Sequence, residues 1–475
     1  MKAIVAVLDK KAECAAQNVA VMLETLRHKG ADTFGVASPS YSEIKPSLEQ
    51  LQIHDFRTSV AVGHVFLKIL AHDKPQFVAL KKATIVFDGR IYPPRRLFGL
   101  ANIAGVRDAE TIIRRFDGSF AFAIAETDRL IVGRDSLGLY PLYYGENEEL
   151  FAVASEGKAL WKIGLEKVNS FPPGHIAVID RKGAKIKPVK TIKSSSATSI
   201  TMEEAVEKLQ RLLQKSVKEK VLGLREAAVA FSGGLDSSLV AFLAKNAGAE
   251  VHLIHVSLEN QLETMQAREA ADLLGLPIHI YLYGEKDVEN VLPKVLWAVE
   301  SSDPIKASIG IPLFWTAEKT AETGFKVLLT GQGADELFGG YMQYLNLYMQ
   351  RGEEDAQKKI FNDILKMHET NFERDSKICN LHNVELRLPF ATRQLTEFAL
   401  SLPLQFKIET KSTSRKIVLR KTAEKMGLPS QITNKPKKAI QYATGVSKTL
   451  KKMAKRNKLP LKEYLQKVFQ ELSII

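Results

Sequence analysis

The pattern of apolar and polar positions divides the chain into two regions. The first, up to about Val189, contains short apolar runs separated by turn residues, and helical spacing occurs in two places, Cys14–His28 and Ala109–Arg115. The strand-length runs are Ala3–Leu8, Val60–Leu70, Ala83–Phe87, Phe120–Glu126, Leu130–Val132, Leu142–Tyr144, Phe151–Ser155 and His175–Asp180. This pattern predicts an α+β domain of packed sheets over residues 1–189.

A polar, serine-rich stretch, Lys190–Ser199, follows and predicts a linker over residues 190–200. Thr201 then opens a helical pattern with a capping-box start. Strand-like and helix-like segments alternate after it: Ala227–Phe231, Leu239–Lys245, Val251–Val256, Thr264–Leu274, Ile278–Leu282, Val288–Val299, Pro312–Thr323 and Val327–Thr330. The alternation predicts a parallel sheet covered by helices in a domain over residues 201–475. Beyond about Tyr341 the pattern indicates helices to the end of the chain.

The stretch Glu226–Leu243 (EAAVAFSGGLDSSLVAFL) predicts a strand that passes through glycines into a helix. Such a turn directs several backbone N–H groups and the positive end of the helix at one point, and its glycines let an anion approach the backbone. The serine hydroxyls add donors, and Asp236 is a candidate ligand for a metal ion that bridges phosphates. The alternative is an ordinary strand-to-helix turn in which Asp236 or Ser237 caps the helix.

Composition limits the class of protein. With 475 residues, 45% hydrophobic and 25% charged, the chain is expected to form two or three globular domains. Two cysteines and a first apolar run too short for a signal peptide or a membrane span favour a cytoplasmic protein without a membrane partner. The net charge of +13 suits phosphorylated ligands or nucleic acid. Its concentration in Lys435–Lys438 and Lys448–Lys458 is typical of a solvated face, and nucleic acid is not the expected partner because no RNA-binding motif accompanies it.

A second glycine-rich turn, Leu329–Tyr341 (LTGQGADELFGGY), follows another short apolar run. The first turn, SGGLDSS, resembles the signature of the ATP pyrophosphatase (PP-loop) family. The second resembles a signature of the asparagine synthetases, with Thr330 for the usual serine and Gln332 for the usual glutamate. Further landmarks of that family are matched by Arg134–Tyr144, Val153–Leu160, Phe171–His175 and Val384–Phe390.

The resemblance implies an N-terminal domain of the N-terminal-nucleophile glutaminase type, an α/β/β/α sandwich, and an α/β PP-loop synthetase domain with a helical C-terminal part. It implies that ATP adenylates the side-chain carboxylate of aspartate and that ammonia then displaces AMP. Asp236 and Asp335 match the carboxylates that carry Mg²⁺. The residues expected to bind ATP are Phe231, Ser232, Gly233, Gly234, Leu235, Asp236, Ser237, Ser238, Val256, Thr330, Gly331 and Gly333.

Three charged residues are implied in catalysis. Lys416 matches the lysine that faces the α-phosphate and the tetrahedral intermediate, where a fixed cation stabilises developing negative charge. Arg420 is implied as a partner of the pyrophosphate. Glu300 matches a glutamate near the incoming amine and could accept a proton from it, or it has a structural role.

The chain departs from the family in its glutaminase half. The family's nucleophile is a cysteine directly after the initiator methionine, and here Lys2 follows Met1. Phe66 stands for the arginine that binds the glutamine carboxylate, Asp88 for an asparagine and Arg90 for a glutamate, whereas Gly89 and Asp108 are unchanged. We therefore expect a domain that keeps its fold, does not hydrolyse glutamine, and leaves the synthetase to use free ammonia or a separate ammonia donor. A homodimer is the assembly we expect.

Other functions share parts of this pattern. Gln332, and Ala391-Thr392 where the family has Leu-Asp, leave the carboxylate acceptor open, so a β-lactam synthetase-like enzyme that uses the same acyl-adenylate chemistry is an alternative. A PP-loop enzyme that modifies tRNA is a second alternative, favoured only by the basic charge. A degenerate binding protein is a third, against which the retained Asp236, Asp335 and Lys416 argue.

Overall fold

The computed structural model describes residues 3–53, 56–75, 77–79, 83–92, 105–195, 198–435 and 444–472. The chain divides into two compact units, one up to Thr191 and the other over Ile192–Leu472. Among the described residues, no helix combines the length and the apolar character needed to cross a membrane.

The first unit is built on two antiparallel sheets. A seven-stranded sheet has the order β11-β9-β10-β1-β4-β2-β3 and a six-stranded sheet the order β13-β12-β8-β7-β6-β5. Its strands are β1 Ala3–Asp9, β2 Thr33–Ala37, β3 Ser42–Lys45, β4 Val60–Phe66, β5 Phe77–Ala79, β6 Ala83–Tyr92, β7 Asp117–Glu126, β8 Leu130–Arg134, β9 Tyr143–Glu146, β10 Leu150–Ala154, β11 Val168–Ser170, β12 His175–Asp180 and β13 Gly183–Pro188. Its helices are α1 Ala15–Thr25, α2 Val106–Arg115 and α3 Gly157–Trp161.

Alternate residues of a strand face opposite sides of its sheet, and this alternation arranges the first unit in four layers. In β1, Val5 packs toward α1, and its neighbour Ala6 packs between the two sheets. In β7, Ala121 packs between the sheets and Phe122 packs toward α2. The resulting order is α/β/β/α, which confirms the expected sandwich.

All eight strands expected in this unit are present. The pattern missed β2, β3, β5, β11 and β13, and two of these, β3 and β11, are three or four residues long with no fully buried position. Such edge strands carry little apolar signal because the sheet covers them on one side at most. The expected helix from Cys14 is found, with Cys14 half-buried at its N-cap.

The second unit contains a five-stranded parallel sheet of order β16-β15-β14-β17-β18 and a small antiparallel pair, β19-β20. The strands are β14 Glu226–Ala230, β15 Glu250–Leu258, β16 Ile278–Tyr283, β17 Val327–Leu329, β18 Glu385–Arg387, β19 Ile408–Glu409 and β20 Ser414–Arg415. Strands β14 to β17 and the helices between them fall where the alternating pattern predicts them.

Helices surround this sheet. They are α4 Met202–Val221, α5 Leu235–Asn246, α6 Leu262–Leu274, α7 Glu285–Val299, α8 Pro304–Glu322, α9 Ala334–Phe338, α10 Met342–Arg351, α11 Glu353–Met367, α12 Glu373–Leu381, α13 Arg393–Ser401, α14 Ile417–Lys425, α15 Ser430–Thr433, α16 Val446–Arg456 and α17 Leu461–Gln470. The capping box predicted at Thr201 is confirmed, since its hydroxyl accepts from the Glu204 N–H and the Glu204 carboxylate accepts from the Thr201 N–H.

The prediction that the chain is purely helical beyond Tyr341 was wrong. Residues Glu385–Arg387 form β18, which pairs with β17 at the edge of the parallel sheet, and residues 408–415 contain the β19-β20 pair. Strands of two or three residues hold too few positions to show a period, so tertiary pairing decides them.

The residues around the predicted linker make contacts of two kinds. Lys190 donates through Nζ to the Asp117 carboxylate at 2.8 Å, within the first unit. Thr198 donates through its backbone N–H to the Ser401 carbonyl at 2.9 Å, within the second unit. Residues 196 and 197 of the predicted linker lie outside the described part.

Candidate active site

The first glycine-rich turn joins the carboxyl end of β14 to α5. The N–H of Phe231 continues the pairing with β15 by donating to the Ile254 carbonyl, after which Ser232, Gly233 and Gly234 lead into Leu235. Gly233 has φ +67°, and a Cβ there would stand 2.8 Å from the Ala267 Cα. Only glycine therefore fits both the backbone angle and the close approach to α6.

The second glycine-rich turn follows β17, the neighbour of β14 in the sheet. A Cβ at Gly331 would stand 2.8 Å from the Asp236 Cβ, so this glycine lets the second turn close on the first. Gly333 is the N-cap of α9 and has φ +94°. The two turns thus meet at the carboxyl ends of adjacent parallel strands, the edge at which ligands bind in open α/β sheets.

Lys416 joins the two turns. Its Nζ donates to Asp236 Oδ1 at 2.7 Å and Oδ2 at 2.6 Å, and it lies 2.6 Å from Asp335 Oδ1. The lysine side chain is 3% exposed and each aspartate side chain 13% exposed. Lys416 follows β20 and has φ +59°, an uncommon left-handed conformation for a residue with a side chain. The structure therefore brings three predicted site residues, Asp236, Asp335 and Lys416, into direct contact.

The site fits a phosphate group and a hard cation. Ser238 Oγ, at the start of α5, is buried and has no hydrogen-bond partner within the described residues, so it can donate to an incoming anion. Ser232 and Ser237 are 3.3 Å apart through their Oγ atoms and offer two more hydroxyls. Asp236 and Asp335 supply carboxylate oxygens, the ligands that Mg²⁺ prefers. These residues would hold ATP phosphates and Mg²⁺.

The residues expected around adenosine lie at the same edge of the sheet. Phe231 directly follows β14 and Val256 lies in β15, and both side chains are buried. Thr330 directly follows β17; its N–H donates to the Arg387 carbonyl, and its Oγ1 accepts from the Gln332 N–H at 3.4 Å.

Arg420 is held by backbone carbonyls. Its guanidinium donates to the carbonyl oxygens of Arg415, Thr433 and Lys435, and burial lowers its pKa. These bonds fix α14, and hence Lys416 at its start, against the following segment. A positioning role through backbone contacts fits this geometry.

Lys435 is a residue of this site that the sequence pattern did not single out. Its Nζ lies 3.4 Å from the Gly233 carbonyl and 3.3 Å from the Gln266 carbonyl, and burial lowers its pKa. The sequence pattern groups it with Lys437 and Lys438, which lie outside the described residues, in a solvated charge run. Charge runs give no sequence signal that separates a member facing the site from its neighbours.

Glu300 lies on a different element from the Lys416 cluster, at the C-terminal end of α7 with φ +56°. Its carboxylate accepts from Lys377 Nζ at 2.6 Å, and both side chains are buried. Lys377 belongs to α12, which continues directly from a π-helical turn over His368–Phe372. The structure thus gives Glu300 a buried cationic partner that the sequence pattern did not indicate.

The expected remnant of a glutamine pocket lies in the first unit. Gly89 is in β6 with φ +127°, where a Cβ would overlap the Ser119 carbonyl oxygen, and Asp108 is in the first turn of α2. Asp88 is fully buried, which raises its pKa, and accepts from the Tyr140 hydroxyl at 2.5 Å. Arg90 forms a two-pronged ion pair with Asp73, at 2.8 and 2.7 Å.

Comparison with known proteins identifies the family. The sequence profile of a family described as asparagine synthase matches residues 208–470, more than half of the chain. The chain belongs to the asparagine synthase family. A second profile, described as a glutamine amidotransferase domain, matches residues 65–162.

Individual relatives support the same family assignment. The chain is 31% identical to a provisionally named asparagine synthetase [glutamine-hydrolyzing] 1 of Methanocaldococcus jannaschii, with 96% of each chain covered. It is 26% identical to asparagine synthetase [glutamine-hydrolyzing] 2 of Arabidopsis thaliana, over 89% of this chain and 75% of that one. With the mouse asparagine synthetase [glutamine-hydrolyzing] it shares 29% identity, over 70% and 64%.

Membership of the asparagine synthase family confirms several expectations. The chain is a carbon–nitrogen ligase with an asparagine synthase domain and a glutamine amidotransferase-like domain. The family uses ATP and acts on small-molecule substrates.

Proposed function

We propose that the chain makes asparagine by adenylating the side-chain carboxylate of aspartate and transferring the acyl group to ammonia. A carboxylate oxygen attacks the α-phosphorus of ATP, the bond to the bridging oxygen breaks, and pyrophosphate leaves. Ammonia then attacks the acyl carbon, AMP departs, and the nitrogen loses a proton. The observation that carries this proposal is the contact of Lys416 with an aspartate from each glycine-rich turn.

Lys416 supplies the charge that both steps need. Its buried ammonium is fixed between the two turns, so it can stabilise negative charge on the α-phosphoryl group and then on the acyl oxygen without reorganising. Ser232, Ser237 and Ser238 supply hydroxyl donors for the pyrophosphate end, and Lys435 adds a second cation beside Gly233. Mg²⁺, held by Asp236 and Asp335, would neutralise charge on the phosphates.

We propose that the first unit does not hydrolyse glutamine. Lys2 occupies the position that a catalytic cysteine holds in the family. The groups that would hold glutamine are also engaged with other residues, since Arg90 is paired with Asp73 and Asp88 accepts from Tyr140. The nitrogen source is then free ammonia or ammonia delivered by another protein.

ATP–pyrophosphate exchange with purified full-length protein tests the adenylation step. With Mg²⁺ and aspartate present, labelled pyrophosphate is expected to enter ATP, and added ammonium is expected to yield asparagine and AMP in equal amounts. Exchange with another carboxylate and none with aspartate would select the β-lactam synthetase-like alternative. Exchange that requires tRNA would select a tRNA-modifying enzyme.

The variant Lys416→Ala tests the assignment of the lysine. We expect a loss of exchange of at least about 100-fold, because removal of one fixed charge donor at a transition state costs roughly 10²–10³ in rate. Lys411→Ala is the matched control, since Lys411 is an exposed lysine in the turn between β19 and β20. Unchanged exchange in Lys416→Ala would contradict the assignment.

Thr392 bears on the choice of acceptor. It stands where the family has aspartate, and in this structure its hydroxyl caps α13 by accepting from the Leu395 N–H at 3.2 Å. Aspartate and threonine both act as N-caps. The replacement of aspartate by threonine therefore keeps the N-cap, and it does not by itself argue for a different carboxylate substrate.

A further inference from the structure

The beginning of the parallel sheet carries a cluster of nitrogen and oxygen ligands that the proposed reaction does not use. Glu226 and Glu250 are the first residues of β14 and β15 and lie opposite each other in the parallel register. His252 is two residues further along β15 and hence on the same face as Glu250. One ligand atom from each of the three side chains lies within 4.8 Å of the other two.

The ring of His252 is held in place from two sides. Its Nδ1 lies 3.2 Å from His279 Nε2, and its ring packs against Phe325 with centroids 4.7 Å apart. Its Nε2 points toward Glu250, with 3.9 Å to Oε1, and is buried with no hydrogen-bond partner among the described residues. A metal-bound histidine has this arrangement, in which one ring nitrogen faces the ion and the other is bound by a neighbour.

The electrostatics of the cluster favour a cation. Because His252 Nδ1 and His279 Nε2 lie within hydrogen-bond distance, at 3.2 Å, the other ring nitrogen of His252, Nε2, faces Glu250. Both glutamates are exposed, and Arg225 is a facing positive group, with its Nε 4.0 Å from Glu250 Oε2. One imidazole nitrogen with two carboxylates is a donor set that suits Zn²⁺ and its neighbours in the transition series.

We propose that Glu226, Glu250 and His252 bind a divalent transition-metal ion of the zinc type, with water as the remaining ligand. Zinc–ligand bonds of about 2.0–2.2 Å bring tetrahedral ligand atoms to about 3.4 Å from one another, so the exposed carboxylates need to move by only about 1 Å. The site lies at the amino ends of the strands, whereas the glycine-rich turns lie at the carboxyl ends. The ion is therefore structural and joins β14 to β15, and this inference does not rest on the proposed function.

Binding of Zn²⁺ to the chelator-treated full-length protein tests this site. Calorimetry with Zn²⁺ and visible absorption with Co²⁺ are run with Mg²⁺ in excess, so that Asp236 and Asp335 are occupied. We expect one Zn²⁺ per chain, a Co²⁺ spectrum of low coordination number, and a higher melting temperature with Zn²⁺. Absence of Zn²⁺ binding would overturn the proposal.

Variants separate this site from the other histidines of the chain. Glu226→Gln, Glu250→Gln and His252→Asn are each expected to weaken Zn²⁺ binding at least about tenfold, and His279→Asn is expected to weaken it about tenfold by freeing the His252 ring. Glu354→Gln, an exposed residue of α11, and His72→Asn, an exposed residue of the first unit, are matched controls that keep wild-type affinity. Because Glu226 is exposed, its variant tests the site without loss of core packing. Wild-type affinity in these ligand variants would overturn the assignment.

Discussion

At the scale of single residues, two buried lysines of the second unit differ in their partners. Lys416 is surrounded by two carboxylates, which stabilise its charge. Lys407 is equally buried, no ion pair or side-chain hydrogen bond to its ammonium is seen within the described residues, and burial lowers its pKa to about 7. Lys416 is thus held by ion pairs, whereas Lys407 loses its proton as pH rises through about 7.

Lys407 should make stability depend on pH. Its pKa is near 10.5 in the unfolded chain and about 7 in the folded one, so the folded state binds fewer protons between these values. Because the unfolded state binds more protons, the contribution of Lys407 raises the free energy of unfolding as pH rises from 7 to 10.5. Lys407→Met is expected to stabilise the protein by roughly 2–4 kcal/mol near neutral pH, with the gain vanishing as pH approaches the pKa of the unfolded lysine.

Urea unfolding at about pH 7, 8.5 and 10, values that cover most of the interval between the folded and unfolded pKa of the lysine, measures this difference. Lys411→Met removes an exposed lysine from the neighbouring turn and should leave the dependence on pH unchanged. Parallel stability curves for wild type and Lys407→Met would show that the ammonium of Lys407 reaches water in the folded protein.

At the scale of elements, the sequence predicted those helices and strands whose formation depends on the local pattern of apolar and polar residues. The strand–turn–helix of β14 and α5 and the alternation up to β17 are visible in the apolar runs and glycines. The pattern could not show β18, because three residues carry no period and pairing with β17 is decided by the tertiary fold. The contact of Lys416 with Asp236 spans 180 positions, and only a resemblance, not local pattern, could suggest it.

Other parts of the site were beyond sequence reasoning for the same reason. Lys435 faces the first turn, but within a run of lysines its contact with Gly233 has no local signature. The pairing of Glu300 with Lys377 depends on how α7 and α12 pack, which residue types alone do not reveal.

Gly340 tests how closely the second turn must fit. A Cβ at this position would overlap both Asp335 Oδ1 and Lys416 Cε. Gly340→Ala should therefore displace both groups and lower pyrophosphate exchange roughly 100-fold, since a displacement of about 1 Å can cost that much.

The matched control for this change is Gly284→Ala. Gly284 caps α7, and among the described residues a Cβ there would meet Asp287 Oδ2 alone, at an ordinary 3.7 Å. Circular dichroism should show both variants folded. Wild-type exchange in Gly340→Ala would mean that Asp335 and Lys416 tolerate a shift and that their geometry is not critical.

At the scale of the whole molecule, the nitrogen source that we propose would distinguish this chain from relatives named for glutamine hydrolysis. With glutamine as the sole nitrogen source, we expect no asparagine and no glutamate above background, whereas ammonium should support synthesis. The physical reason for this expectation is the lysine at position 2, where the family has its cysteine nucleophile, together with the Arg90–Asp73 and Tyr140–Asp88 contacts.

Product analysis by chromatography measures this preference. Added glutamine should not inhibit the ammonium-dependent reaction, because its binding groups are engaged. The proposal that glutamine hydrolysis is lost would be overturned if a preparation free of other glutaminases released glutamate in proportion to asparagine.

The order of strands in the second unit has a consequence for synthesis of the chain on the ribosome. Strand β18 closes one edge of the parallel sheet, yet Glu385–Arg387 emerges long after its neighbour Val327–Leu329, with four helices between them in the chain. During that interval the nascent sheet exposes the unpaired backbone N–H and C=O groups of β17, which can pair with a strand of another chain. A ribosome that stalls between these strands should therefore yield aggregation-prone fragments. Rapid translation of this stretch should reduce aggregation of the nascent chain.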